Sequence, residues 1–215
     1  NHRQALFIAD RIIRYRIWYP GRPVVLVGQS GGGAMAVWIA ESLPPGQQVD
    51  GAIMIATALS PGYMLDRALM NSKRGLINFY SPLDWILLGV GTTVYGTMDG
   101  QHTASAGRVG FTIPTAGGSP AEYERLFQIA WQPKMADTGN LGSHLTSGAD
   151  EFVAEYVAPF VLNERWGAAL IAQVLNRELP KNGEATSGPP TTIPATAPAP
   201  PPTTTSAPAT APEDA

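Results

Sequence analysis

The stretch from Pro23 to Leu43, PVVLVGQSGGGAMAVWIAESL, constrains this chain more than any other. A continuous β-branched run stops abruptly at Gly28. A small-residue segment from Gly31 then turns helix-forming and is halted by Pro44, Pro45 and Gly46. The run suits a strand buried on both faces, and its ending leaves room only for a tight turn before the helix. Strand, turn and helix packed this closely open an α/β unit.

The rest of the chain continues the alternation. Leu6, Ala9, Ile13 and Ile17 share one face of a helix over residues 3–19, with Ile8 and Ile12 beside them, and Pro20 and Gly21 end it. GAIMIA at 51–56 and GLINFY at 75–80 read as buried strands, with a helix around 64–71 between them. Residues 86–120 are rich in Gly and Thr without periodicity and predict an excursion of loops with a short hairpin. RLFQIAW at 125–131 predicts a fourth strand. Phe152, Val153, Tyr156, Val157, Phe160 and Val161 then form a helical stripe, with Ser147 and Asp150 resembling its capping box. A last amphipathic helix is expected over 165–179. The order predicts an α/β fold, a mostly parallel sheet with flanking helices.

Beyond Ser187 the chain is almost entirely Pro, Thr, Ala and Ser, with no aromatic residue. Such a segment buries too little apolar surface to offset its ordering entropy. The chain therefore divides into a domain over 1–180 and a Pro/Thr/Ala-rich tail over 181–215, disordered and polyproline-leaning from Gly188 to Ala215. Its hydroxyl content suits O-linked sugars outside the cell, or a plain solubilising role. The compartment is left open.

A net charge of −3 without a Lys/Arg cluster argues against nucleic acid or an anionic membrane as partner. The lack of cysteine excludes disulfides, thiolate catalysis and Cys-ligated zinc. His2, His102 and His144 show no ligand spacing with one another, so neither metal nor cofactor is expected. No apolar run approaches the roughly 20 residues of a membrane span. The chain opens at Asn1 inside a helical pattern with no signal-like segment, which predicts sequence upstream of it.

Gly28, Gln29, Ser30, Gly31 and Gly32 fit the nucleophile-elbow pattern, in which small residues are needed because a sharp strand-to-helix turn crowds the backbone around an exposed serine. Ser30 is then set over a helix N-terminus, as candidate nucleophile. The competing reading is a phosphate-holding turn, but GxGxxG and a GK[ST] ending are both missing. A serine hydroxyl needs a base to take its proton. His144, in GNLGSHLTSG, follows the last strand and can lean back over the elbow. His102 is its rival as a pocket or surface residue, and His2 is read as structural. The imidazole needs a carboxylate in turn. Asp84, in the SPLDW turn, follows a strand at the sheet edge where open α/β sheets place their sites. Asp66, Asp99 and Asp137 are read as helix-surface or loop residues.

VVLVGQSGGG, the strand with its SPLD turn, and GSH before a terminal helix resemble the α/β-hydrolase fold superfamily, over roughly residues 3–162. The chain order Ser30, Asp84, His144 agrees with that template. The resemblance implies a two-step acyl transfer on a small-molecule or lipid-like ester, as in carboxylesterases and lipases. Ser30 would attack the carbonyl, His144 act as base and then acid, and water release the acyl group. It also implies an oxyanion hole made by the Gly31 N–H and a second N–H from a loop after an early strand. The family's first strands have no counterpart here, so the expected fold is N-terminally incomplete and its nucleophile strand exposes an edge. Losing one oxyanion donor costs about 100- to 1000-fold in turnover, so the chain alone is expected to be inactive and sticky. Two other readings stand: a binding or cell-surface protein on a hydrolase scaffold, and an acyltransferase or peptidase using the same three residues. The loop of Trp85 to Gly110 and the helix of Tyr63 to Asn71 either line an acyl pocket or simply pack.

Overall fold

The computed structural model describes residues 1–84, 96–114 and 120–177. The tail expected over 181–215 lies outside the described residues. Asn1–Arg177 forms one compact unit.

Four strands form a single parallel sheet in the order β1-β2-β3-β4: β1 (Val25–Gln29), β2 (Gly51–Ile55), β3 (Leu76–Tyr80) and β4 (Leu126–Ala130). β2, β3 and β4 lie inside expected strands, whereas β1 starts two residues later than expected and continues through Gly28 to Gln29. Parallel pairing requires a crossover between neighbours, and the helical segments supply it. Every residue of β2 is buried, as its unbroken apolar run demands.

Alternation along the strands sorts side chains into two cores. Ala52, Met54 and Leu76 face α1 (His2–Trp18), α2 (Gly31–Glu41) and α3 (Asp66–Met70), where the fully enclosed Trp38 is the largest side chain. Ile53, Ile55, Ile77 and Phe79 face the other way, onto Phe152, Tyr156 and Phe160. The sheet is therefore covered on both faces, and the α/β class follows directly from the sequence pattern.

Several expectations need correction. β1 is not buried on both faces: among the described residues no strand pairs with its outer edge, and Val27 there is 47 % exposed. The exposed edge expected of this strand is observed. On α1 the buried face is Ala5, Ala9 and Ile12, whereas Leu6 and Ile17 are exposed. Alanines allow α1 to lie close against α2, and that close approach selects the face. The stretch 96–114 holds a short helix, α4 (Ala106–Val109), and no strand among its described residues, while the rest of the excursion in which a hairpin is expected, 86–95 and 115–119, lies outside the described residues. A further short helix, α5 (Pro120–Tyr123), precedes β4.

The helix expected at 152–161 is present as α6 (residues 150–162), but its middle turn, Val153–Val157, is π-helical between α-helical ends. Pro159 has no N–H to give the Glu155 carbonyl, and its ring crowds that carbonyl, so the chain widens by one residue there. Ser147 and Asp150 do not form a capping box: the residue preceding the helix is Ala149, with no side-chain cap. The last helix, α7 (Ala168–Leu175), buries Val174. No helix among the described residues is long and apolar enough to cross a membrane.

Candidate active site

The backbone of Ser30 has φ 56° and ψ −121°, a region that an L-residue adopts only when its surroundings over-determine it. Those surroundings are explicit. Ser30 N donates to Ile55 O at 2.9 Å, extending the β1–β2 ladder by one step. Ser30 O accepts from Gly33 N at 3.0 Å and from Ala58 N at 3.2 Å. The chain thus leaves the strand, reverses and enters α2 with the main chain of Ser30 held on both sides.

The steric demand of this turn falls on particular glycines. A Cβ at Gly28 would sit 2.1 Å from Gly32 O, and one at Gly33 would meet Thr57 Oγ1 at 2.7 Å. Gly32, by contrast, faces open space. The crowding expected of the pentapeptide is therefore real at its first position, absent at its last, and present one residue beyond it.

The Ser30 side chain does not cap α2, so its hydroxyl is not consumed by the helix that follows. Gly31 opens that helix with an N–H that has no intrahelical partner. Met98 arrives beside it from the 96–105 loop, its Sδ and Cε each 3.7 Å from the place a Gly31 Cβ would occupy. Met98 N donates to Ala58 O at 2.8 Å, and Asp99 accepts from Ser60 N at 2.9 Å and Ser60 Oγ at 2.6 Å. Burial pushes the Asp99 carboxyl up, but the bonds from the Ser60 and Thr97 side chains and the Ser60 backbone outweigh it and hold Asp99 below the usual carboxylate range. This loop is fastened beside the elbow.

His144 and Asp84 meet. His144 Nδ1 lies 3.0 Å from Asp84 Oδ2, the aspartate being 3 % exposed in a turn directly after β3. A carboxylate offers only acceptors, so Nδ1 carries the proton and Nε2 is left with a free lone pair. The cavity at Asp84 is walled by Ile55, Phe79, Ile129 and Phe152, with Ser81 and Ser143 at its polar side.

The other histidines lie elsewhere. His2 packs against the Trp38 ring, tilted by 38° at a centroid distance of 4.4 Å. His102 is exposed on the 96–105 loop, next to Gly96. Asp66 starts α3 and accepts from the Tyr123 hydroxyl, and Asp137 belongs to a 3₁₀ turn, Pro133–Thr138. Among the described residues no group of three or more His, Asp or Glu side chains could hold a metal ion.

Two contributors escaped the sequence reading. Gln29, taken only as an elbow position, donates from Nε2 to His144 O at 3.0 Å and to Ser147 Oγ at 2.8 Å. Ser147, taken as a cap, donates to His144 O at 2.9 Å. The serine three residues after the histidine is the signal in the sequence, and it marks a hold on the histidine loop rather than a helix cap.

No family model matches this chain, and no curated protein or solved structure matches it. What the fold supports on its own terms is an α/β sheet with Ser30 at its edge strand and an imidazole–carboxylate pair fastened to the neighbouring residue.

Proposed function

We propose that the protein is a serine hydrolase acting on an ester-like acyl substrate, with Ser30 as nucleophile, His144 as general base and acid, and Asp84 orienting the imidazole. The observation that carries this reading is the His144 Nδ1–Asp84 Oδ2 bond at 3.0 Å, with the carboxylate enclosed and Nε2 left to act. The positive φ of Ser30 supports it, since strain of that kind, costing about 1–3 kcal/mol, concentrates at functional positions.

In this reading Ser30 Oγ attacks the acyl carbonyl while its proton passes to His144 Nε2. The imidazolium is stabilised by Asp84 and returns the proton to the leaving alkoxide. The Gly31 N–H, with the positive end of the α2 dipole behind it, faces the developing oxyanion. Water then repeats the sequence on the acyl-enzyme and frees the acid. Met98, 36 % exposed beside Gly31, would form one wall of the acyl site. Gly31 supplies one donor of the oxyanion hole.

The test is turnover of p-nitrophenyl esters of graded chain length by the wild-type protein and by Ser30→Ala and His144→Ala. Hydrolysis lost in both variants supports the reading. Hydrolysis that survives Ser30→Ala would falsify it.

A further inference from the structure

We infer that Gln29 is a positioning residue for His144, and that Ser147 completes its hold; the inference rests on the proposed hydrolase reading. The side chains of β1 alternate. Val25 packs with the core beneath α6, whereas Val24 and Leu26 pack on the opposite side. Gln29, two positions beyond Val27 and four beyond Val25, therefore points to the α6 side, where the loop carrying His144 lies.

Three hydrogen bonds close a ring there. One amide hydrogen of Gln29 goes to His144 O and the other to Ser147 Oγ, and the Ser147 hydroxyl goes to His144 O. Only a donor can sit 3.0 Å from a carbonyl oxygen, so the side-chain NH₂ is the end that faces His144. Gly148 fits against the opposite end of the amide: a Cβ there would lie 2.9 Å from Gln29 Oε1. The imidazole is thus fixed at two points. Asp84 holds the ring through Nδ1, and Gln29 holds the main chain of the same residue through its carbonyl.

The consequence is specific to catalysis. Loop residues 141–149 have no regular ladder of their own, and Leu145, directly after the histidine, is 85 % exposed. The bond from Gln29 couples the histidine loop to the residue preceding the nucleophile, across 115 positions of sequence. It therefore sets where His144 stands relative to Ser30, which packing of Leu145 does not do. A misplaced base lowers the chemical step rather than substrate binding.

Gln29→Met retains the length of the side chain and removes both donors. Its expected effects are an approximately tenfold slower labelling of Ser30 by a fluorophosphonate probe, a matching fall in kcat with KM unchanged, and broadening of the low-field Nδ1–H proton resonance of His144, at an unchanged melting temperature. His144→Ala and Asp84→Asn assign that resonance. If Gln29→Met fails to fold, Gln29→Asn, which withdraws the amide by one methylene, carries the same expectation. Wild-type labelling rate with an unaltered resonance overturns the inference and leaves the Ser30 reading standing. Wild-type protein that does not label at all overturns the Ser30 reading instead, and the resonance in Gln29→Met then decides whether Gln29 positions His144.

Discussion

His144 and Asp84, 60 residues apart in sequence, are joined by a 3.0 Å hydrogen bond from Nδ1 to a carboxylate oxygen, and only 3 % of the aspartate is exposed. An enclosed carboxylate bonded to one imidazole nitrogen fixes the tautomer and stabilises positive charge on the ring. Replacing Asp84 with Asn offers Nδ1 an amide N–H as readily as a carbonyl, so the ring can settle in the wrong tautomer. Asp84→Asn is expected to lower kcat by about 10³- to 10⁴-fold while leaving KM near its wild-type value. Steady-state ester kinetics check this, with circular dichroism confirming the fold.

The elbow makes a graded prediction about its glycines. A methyl at Gly28 collides with the carbonyl of Gly32, which is backbone and cannot swing aside, and one at Gly33 meets Thr57. Gly28→Ala and Gly33→Ala are each expected to cost about 2 kcal/mol or more. Gly32 faces open space inside α2, so Gly32→Ala is expected to be neutral or to stabilise by up to about 1 kcal/mol. Urea denaturation of the three variants separates them.

A pH effect on stability is expected from Glu41 at the end of α2. Burial pushes its carboxyl up to about 7, against the opposing pull of the Tyr63 hydroxyl bonded to it at 2.9 Å and of Arg67. Trp38 Nε1 bonds the same hydroxyl at 3.1 Å, and His2 packs against Trp38. A carboxyl with a raised folded-state value binds its proton more tightly when folded. Its stabilising contribution is therefore complete below pH 4.5, the ordinary value, and is lost as pH rises towards 7. Glu41→Gln stays neutral throughout. It should match wild type at pH 4 and exceed it at pH 8 by about 1–2 kcal/mol, a figure reduced for the partial exposure of the group. Denaturation midpoints of both proteins across that range test the sign.

The parts of this fold that were legible in the sequence are those governed by local pattern. An unbroken apolar run announced β2, a run interrupted only by Asn78 announced β3, and the strand–turn–helix at Ser30 announced the elbow, because burial and steric crowding act on neighbours in the chain. The candidate partners Asp84 and His144 were legible because a chain with three histidines leaves few choices and because the end of a β strand marks the site edge. What was not legible depends on contacts distant in sequence. The amphipathic reading of α1 chose Leu6 and Ile17, but α2 receives the alanine face instead. Val27 carries the same residue type as a buried strand position, and only its place at the sheet edge exposes it. Ser147 has the spacing of a helix cap, and only the arrival of Gln29 from β1 shows that its hydroxyl belongs to the histidine loop.

Every step proposed for this site requires Ser30 to be an activated nucleophile. Incubating the protein with a fluorophosphonate and mapping the adduct by peptide mass spectrometry tests it most directly. A single adduct is expected on Ser30, abolished by prior denaturation and strongly slowed in His144→Ala. An adduct on another residue, or no adduct in the folded protein, would contradict it.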